Sequence, residues 1–291
     1  MERVQVNNPI ALATMSIDGA AIPVIEISGR FWSLDQISPD LLKGDERGLI
    51  ALFDDWSDSL NMLKELAPQV SELAPPLAIS PESSDFLTPL RYPHKVLCTG
   101  TNYYDHVHSV GHLDFSKESS FPAFFSKPPT TSLVGGGSTV QYPKDSKEFD
   151  WEIELAVIIG KPVKRVSAEE AMGFVAGYAV ALDMSARDFQ RNQKHFVKMD
   201  LCLGKAFDSA CPLGPKIVPS EFVADPHDLS LKLWVNGEIQ QDSNTQHMIW
   251  SIGEQIEEIS KNITLEAGDI LLTGTPRRNR TGAKYLSENW R

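Results

Sequence analysis

The 291-residue chain is predicted to adopt a β-rich α+β fold with a small N-terminal α+β domain. Apolar, β-branched runs of strand length recur, above all at 153–159 and 174–183. Only two stretches keep a helical period over several turns. Between the first of these and the main group of strands lies a proline-dense segment holding Pro68, Pro75, Pro76, Pro81 and Pro89. Proline removes a backbone donor and breaks regular structure, so this segment reads as a surface linker. The chain accordingly divides into residues 1–85 and residues 86–291.

In order along the chain, Met15 and Ile17 precede Asp18-Gly19, and Ile25 and Ile27 flank Glu26 after it. Alternation on both sides of such a turn predicts a small hairpin within 11–33. Leu49, Phe53, Trp56, Leu60 and Leu63 recur at helical spacing and predict an amphipathic helix over 47–66. The apolar run 95–100 opens the larger part. A polar stretch at 101–120 follows, with His94, His106, His108 and His112 in or near it. Gly135-Gly136-Gly137 marks a tight turn, and no Gly-Lys-Ser/Thr or G-x-G-x-x-G accompanies it, so it is not a phosphate loop. Ser167-Ala168-Glu169-Glu170 is a capping box that opens a short helix. Residues 174–183 read as a buried strand ending on Asp183. Asn236-Gly237 supplies the turn of a hairpin over 231–239. Met248, Ile252, Ile256, Ile259 and Ile263 give the second amphipathic helix, and 269–276 a short strand running into a loop.

The composition is that of a globular protein, with 42% hydrophobic residues. A net charge of -12 argues against a nucleic-acid partner. No signal-peptide pattern and no apolar run of about 18 residues is present, so a cytoplasmic protein without a membrane span is expected. Cys98, Cys202 and Cys211 lack zinc-type spacing and are expected to be reduced thiols in the core.

The chemistry centres on Phe149-Asp150-Trp151-Glu152-Ile153-Glu154-Leu155-Ala156-Val157-Ile158-Ile159-Gly160. Alternate residues of a strand share a face, so Trp151, Ile153 and Leu155 point one way and Glu152 and Glu154 the other. Two neighbouring carboxylates running into a core repel each other and are costly to bury without a cation. With Asp183 they form an all-oxygen set suited to Mg²⁺ or Mn²⁺, with Ca²⁺ also compatible. On spacing alone, two solvent-facing glutamates and an aspartate capping the next helix fit equally well. Arg187 and Gln190, three apart, project from one helix face and offer a guanidinium fork for a carboxylate and an amide, a surface salt bridge being the alternative for Arg187. Lys205 sits among small and apolar residues.

Together, these segments resemble the fumarylacetoacetate hydrolase family from about Pro93 to Pro276. The anchors are Gly100-Thr101-Asn102-Tyr103-Tyr104-Asp105-His106, Phe125-Ser126-Lys127-Pro128-Pro129, the di-glutamate strand, Asp183-Met184-Ser185-Ala186-Arg187-Asp188 and Thr273-Gly274-Thr275-Pro276. The resemblance implies a mixed β-sandwich roll, a homodimer, and a divalent metal held by Glu152, Glu154 and Asp183. It implies substrate binding by Arg187, Gln190 and Thr275, and catalysis by His106 and Lys205. The reaction implied is metal-dependent C–C hydrolysis of a 1,3-dicarbonyl or acylpyruvate-type acid, with His106 as general base. The alternatives are an isomerase, tautomerase or decarboxylase acting through the same enolate, and an inactive ligand-binding homologue.

Two departures bear on that reading. Three residues after His106, where a glutamate commonly pairs with the histidine in the acylpyruvate-hydrolase-like branch, stands Ser109. Serine carries no charge to raise the basicity of an imidazole, and His108, His112 and Glu118 are the nearby substitutes. After Pro276 the chain continues Arg277-Arg278-Asn279-Arg280-Thr281-Gly282-Ala283-Lys284 instead of the usual glycine-rich turn and closing strands. This basic cluster is expected to be a solvated tail.

Overall fold

The computed structural model describes residues 9–42, 45–77, 85–109 and 115–279. Strands β1 (Ile10–Ile17), β2 (Ala20–Ile27) and β3 (Arg30–Ser33) form an antiparallel meander. Its first turn is Asp18-Gly19, with φ of 49° and 80°. Positive φ at both positions is the hairpin geometry that Asp-Gly accommodates. β1 then pairs antiparallel with β11 (Cys211–Pro219), placing Leu12 opposite Ile217. From β11 the sheet runs through β9 (Val175–Leu182), β8 (Ile153–Ile159), β14 (Ile270–Leu272) and β4 (Val96–Gly100) to β5 (Ala123–Lys127). β6 (Leu133–Val134) lies parallel to β11, and β14 parallel to β4. The result is one large mixed sheet of ten strands with few helices, the β-rich α+β class predicted.

Both faces of this sheet are covered, which is why β8 is a continuous apolar run rather than an alternating one. Ala156 and Ile158 face a cluster shared with Leu12, Ile25, Trp56, Leu63 and Ile217. Leu155, Val157 and Ile159 face Ile252, Ile256 and Ile259 on the opposite side. Those isoleucines belong to the helix Ile252–Asn262, capped by Ser251 and Glu254 in a reciprocal box. Gly253 lets this helix lie on the turn Ala168–Ala171, because a Cβ there would sit 2.3 Å from the Ala168 carbonyl oxygen.

The helix predicted over 47–66 is two elements, a 3₁₀ segment Gly48–Asp55 and an α-helix Trp56–Leu66. The break lies at Asp55, whose carboxylate accepts the Asp58 N–H at 3.1 Å and caps a new helix start. Leu49, Phe53, Trp56, Leu60 and Leu63 are nevertheless all buried. Past the proline-dense segment the chain returns to β1. Leu87 N donates to Thr14 O, and Thr14 Oγ1 donates to Pro89 O, both at 2.9 Å. Residues 78–84 of that segment lie outside the described residues.

Two small pairs complete the frame. β7 (Phe149–Asp150) meets β10 (Ser185–Ala186). β12 (Ser230–Val235) and β13 (Glu238–Asn244) form the second predicted hairpin, with Asn236 and Gly237 at φ 51° and 82°. Cys98 and Cys211 are free and buried as expected. Cys202 is free but exposed, on the outer side of the short helix Leu201–Lys205, so it is not a core thiol. Among the described residues no helix is long and apolar enough to cross a membrane.

Candidate metal and substrate site

The antiparallel register of β8 and β9 builds the floor of the site. Ile153 lies opposite Leu182, so Glu152 and Asp183 flank the same end of the pair, and Asp183 N donates to Glu152 O at 2.8 Å. Glu154 follows one pleat further along β8. Oxygens of Glu152, Glu154 and Asp183 lie within 4.8 Å of one another, and all three side chains are buried. Of the two arrangements open to the sequence, the clustered one is observed; the glutamates do not face solvent.

Four cations are arrayed around these acids. Lys205 Nζ bridges Glu152 Oε2 and Asp183 Oδ2 at 2.5 Å each. Lys127 Nζ meets Asp183 Oδ1 at 2.7 Å from the other side and donates to the carbonyls of Ala210 (3.0 Å) and Lys205. Arg187 spreads its fork over three acceptors, Asp150 Oδ2 at 2.9 Å, Gln190 Oε1 at 3.0 Å and Glu152 Oε1. Arg278 Nη1 adds contacts to Glu152 Oε1 at 2.7 Å and Asp150 Oδ2 at 3.2 Å. The basic cluster is therefore not wholly a solvated tail. The buried charge of Asp150 and Glu152 draws Arg278 inward, while Arg277 stays exposed. Residues 280–284 lie outside the described residues.

Electrostatics separate the two glutamates. Burial pushes the Glu152 carboxyl upward, but Arg187, Lys205 and Arg278 outweigh it and hold that group well below the usual carboxylate range. Burial and then the charges of Asp183 and Glu152 push Glu154 well above it. Glu154 accepts one hydrogen bond, from Gly274 N at 2.6 Å. Gly274 is at φ 95°, and a Cβ there would lie 2.6 Å from Asn102 Cβ, so only glycine delivers that amide. An all-oxygen cluster with one carboxylate repelled by its neighbours suits a hard dication such as Mg²⁺ or Mn²⁺.

The triad opens into a cavity of about 450 Å³. Its lining includes all eight residues predicted for the site, namely Glu152, Glu154, Asp183, Arg187, Gln190, Lys205, Thr275 and His106. The outer wall is apolar, with Phe115, Phe121, Phe124, Phe125 and Trp250. His106, on the helix Tyr104–Ser109, is 5% exposed. Burial pulls its imidazole down to about 4, so the ring is neutral near pH 7 and able to accept a proton. The side chains of His108 and Ser109, and all of His112, lie outside what is described. Glu118 is described, but bonds Ser116 Oγ at 2.6 Å.

Several supports escape periodicity because each acts through long-range contacts. Asn102 donates to Trp250 O and Thr273 O and accepts from Trp250 N, fixing the start of the His106 segment. Gln241 accepts Ile153 N at 2.8 Å and donates to Thr275 Oγ1 and Pro276 O. Thr275 passes its own proton to Ile153 O at 2.8 Å. Asp150 and Lys127 both lie within recognisable motifs, but their partners are visible only in three dimensions.

Residues 95–289 match the fumarylacetoacetate (FAA) hydrolase C-terminal family. A cation-ringed carboxylate cluster at the floor of a cavity, held by a mixed sheet, thus places this protein in a class of enzymes. The chain belongs to the fumarylacetoacetate hydrolase family. It is 45% identical over 206 residues to the oxaloacetate tautomerase Fahd2a, mitochondrial, of Rattus norvegicus, covering 70% of this chain and 63% of that protein. It is 40% identical over 190 residues to the oxaloacetate tautomerase YisK of Bacillus subtilis, covering 65% of this chain and 60% of that protein. The chain thus spans less than two thirds of the length of these relatives. Among solved structures it resembles maleylpyruvate hydrolase from Sphingobium sp. SYK-6 in complex with manganese(II) ion and pyruvate. That likeness has a TM-score of 0.70 and 29% identity over 92% of this chain and 89% of the other.

Proposed function

We propose that this protein is a tautomerase of small 2-oxo dicarboxylic acids of the oxaloacetate class, working with Mg²⁺ or Mn²⁺ held by Glu152, Glu154 and Asp183. The observation that carries this reading is the buried carboxylate triad opening into the cavity that His106 also lines. The likeness to relatives named oxaloacetate tautomerases supports it. A dication held by Glu152, Glu154 and Asp183 would supply Lewis acidity, lowering the cost of removing a proton from the carbon beside the 2-oxo group. His106 takes the proton from that carbon and returns one to oxygen. Lys205, fixed between Glu152 and Asp183, places positive charge where oxygen becomes electron-rich. Gln190, braced by Arg187, orients a substrate carboxylate from the cavity wall, and Thr275, its hydroxyl held by Ile153 O and Gln241, fixes the loop beside it.

Hydrolysis of a C–C bond is the second reading, supported by the likeness to maleylpyruvate hydrolase. It asks more of the base, which must activate water. Serine at position 109 supplies no charge to strengthen His106, which favours the tautomerase. Following oxaloacetate enol absorbance while identifying products separates the two. Enol loss without new acids, abolished by chelator, supports the tautomerase, whereas pyruvate-type fragments from an acylpyruvate would replace it with the hydrolase. His106→Ala is expected to lower turnover about 10²- to 10³-fold while leaving Mn²⁺ affinity unchanged. Full activity in that variant would remove His106 from the mechanism.

A further inference from the structure

The segment that leaves the cavity after Thr275 is held at three points, two of them at the site. Arg277 N donates to Asp105 Oδ1 at 3.2 Å, beside His106. Arg278 Nη1 lies on Glu152 and Asp150. Asn279 fastens to β13, its N–H to Gln240 O at 2.8 Å and its side-chain amide to Ile239 O at 3.1 Å. The Arg278 side chain is only 9% exposed, so its charge is enclosed.

Arg278 is redundant as a counter-ion. The two oxygens it meets, Glu152 Oε1 and Asp150 Oδ2, are the two already bonded by Arg187. Lys205 takes the other oxygen of Glu152. The fold gains little from a second guanidinium there. What Arg278 adds is a further positive charge on a carboxylate assigned above to the metal.

We propose that Arg278 is an internal cation that opposes a divalent metal at Glu152, so that metal binding and docking of Arg277–Asn279 weaken each other. The inference rests on the metal reading of Glu152, Glu154 and Asp183. Two cations sharing one carboxylate repel, and the repulsion is poorly screened where water is excluded. Linkage makes the effect reciprocal, so the factor by which docked Arg278 weakens the metal is the factor by which the metal weakens docking. Because Arg277 holds Asp105, metal loading also changes the restraint on the helix that carries His106.

The test is calorimetric titration of the chelator-stripped full chain with Mn²⁺, for the parent, Arg278→Gln and Arg278→Lys, with thermal melts to confirm folding. Arg278→Gln is expected to bind Mn²⁺ about tenfold more tightly, and Arg278→Lys, which keeps the charge, close to the parent. In the parent, Mn²⁺ is expected to speed hydrogen exchange at the Arg277 and Asn279 amides. Equal or weaker Mn²⁺ binding by Arg278→Gln, or exchange at those amides indifferent to Mn²⁺, overturns the proposal and leaves the metal reading standing. A parent chain that binds no Mn²⁺ removes both.

Discussion

Glu154→Gln is expected to lower turnover about 10³-fold and to abolish measurable Mn²⁺ binding, while the metal-free protein melts no lower than the parent. Removing Glu154 takes away one of the three proposed ligands and the one that, among the described residues, has no salt-bridge partner. In the metal-free protein that same carboxylate is repelled by Asp183 and Glu152. A neutral amide of the same shape relieves the repulsion and still accepts the Gly274 N–H. Activity and metal-free stability therefore move independently, which a general folding defect could not produce. Paired calorimetry and melting curves check it, and retained Mn²⁺ affinity would defeat the ligand assignment.

Lys127→Met is expected to destabilise the protein by about 3–5 kcal/mol. Methionine replaces the aliphatic stem but not the ammonium, which is fully buried and holds Asp183 at 2.7 Å together with two backbone carbonyls. Burial works against the charge on Lys127, yet Asp183 more than compensates and keeps the ammonium protonated. Loss of that ammonium leaves Asp183 Oδ1 and the Lys205 carbonyl short of a donor in the core. Urea unfolding of the metal-free variants would show it, and a change below about 1 kcal/mol would mean that Asp183 finds another partner.

The parts of this protein legible in its sequence are those that repeat. β8 and β9 show as apolar runs, both hairpins show through Asp-Gly and Asn-Gly, and the helix Ile252–Asn262 shows through its isoleucines. The alternation of Glu152 and Glu154 predicts their shared face, and the register of β8 with β9 brings Asp183 to them. What stays hidden depends on contacts between distant segments. Basic composition makes Arg278 look like tail, because nothing local records that Asp150 and Glu152 lie nearby in space. Lys127, Gln241 and Asn102 carry no periodic signature, since each satisfies a few particular backbone groups. The 3₁₀ start at Gly48–Asp55 keeps the burial pattern of a helix, and only the cap at Asp55 reveals the break.

The pairing of β1 with β11 has a consequence for how the molecule is made. Leu12 must find Ile217, so the meander β1–β3 leaves the ribosome long before its neighbour in the sheet exists. At ordinary synthesis rates of about 5–20 residues per second, that wait lasts on the order of ten seconds or more. During it the edge of β1 that later pairs with β11 is open to other chains. Pulsed hydrogen exchange during refolding should find the β1–β11 bonds forming after the β1–β2 turn; simultaneous protection would mean that the two distant halves collapse together. Birth order thus sets a period of vulnerability for this sheet.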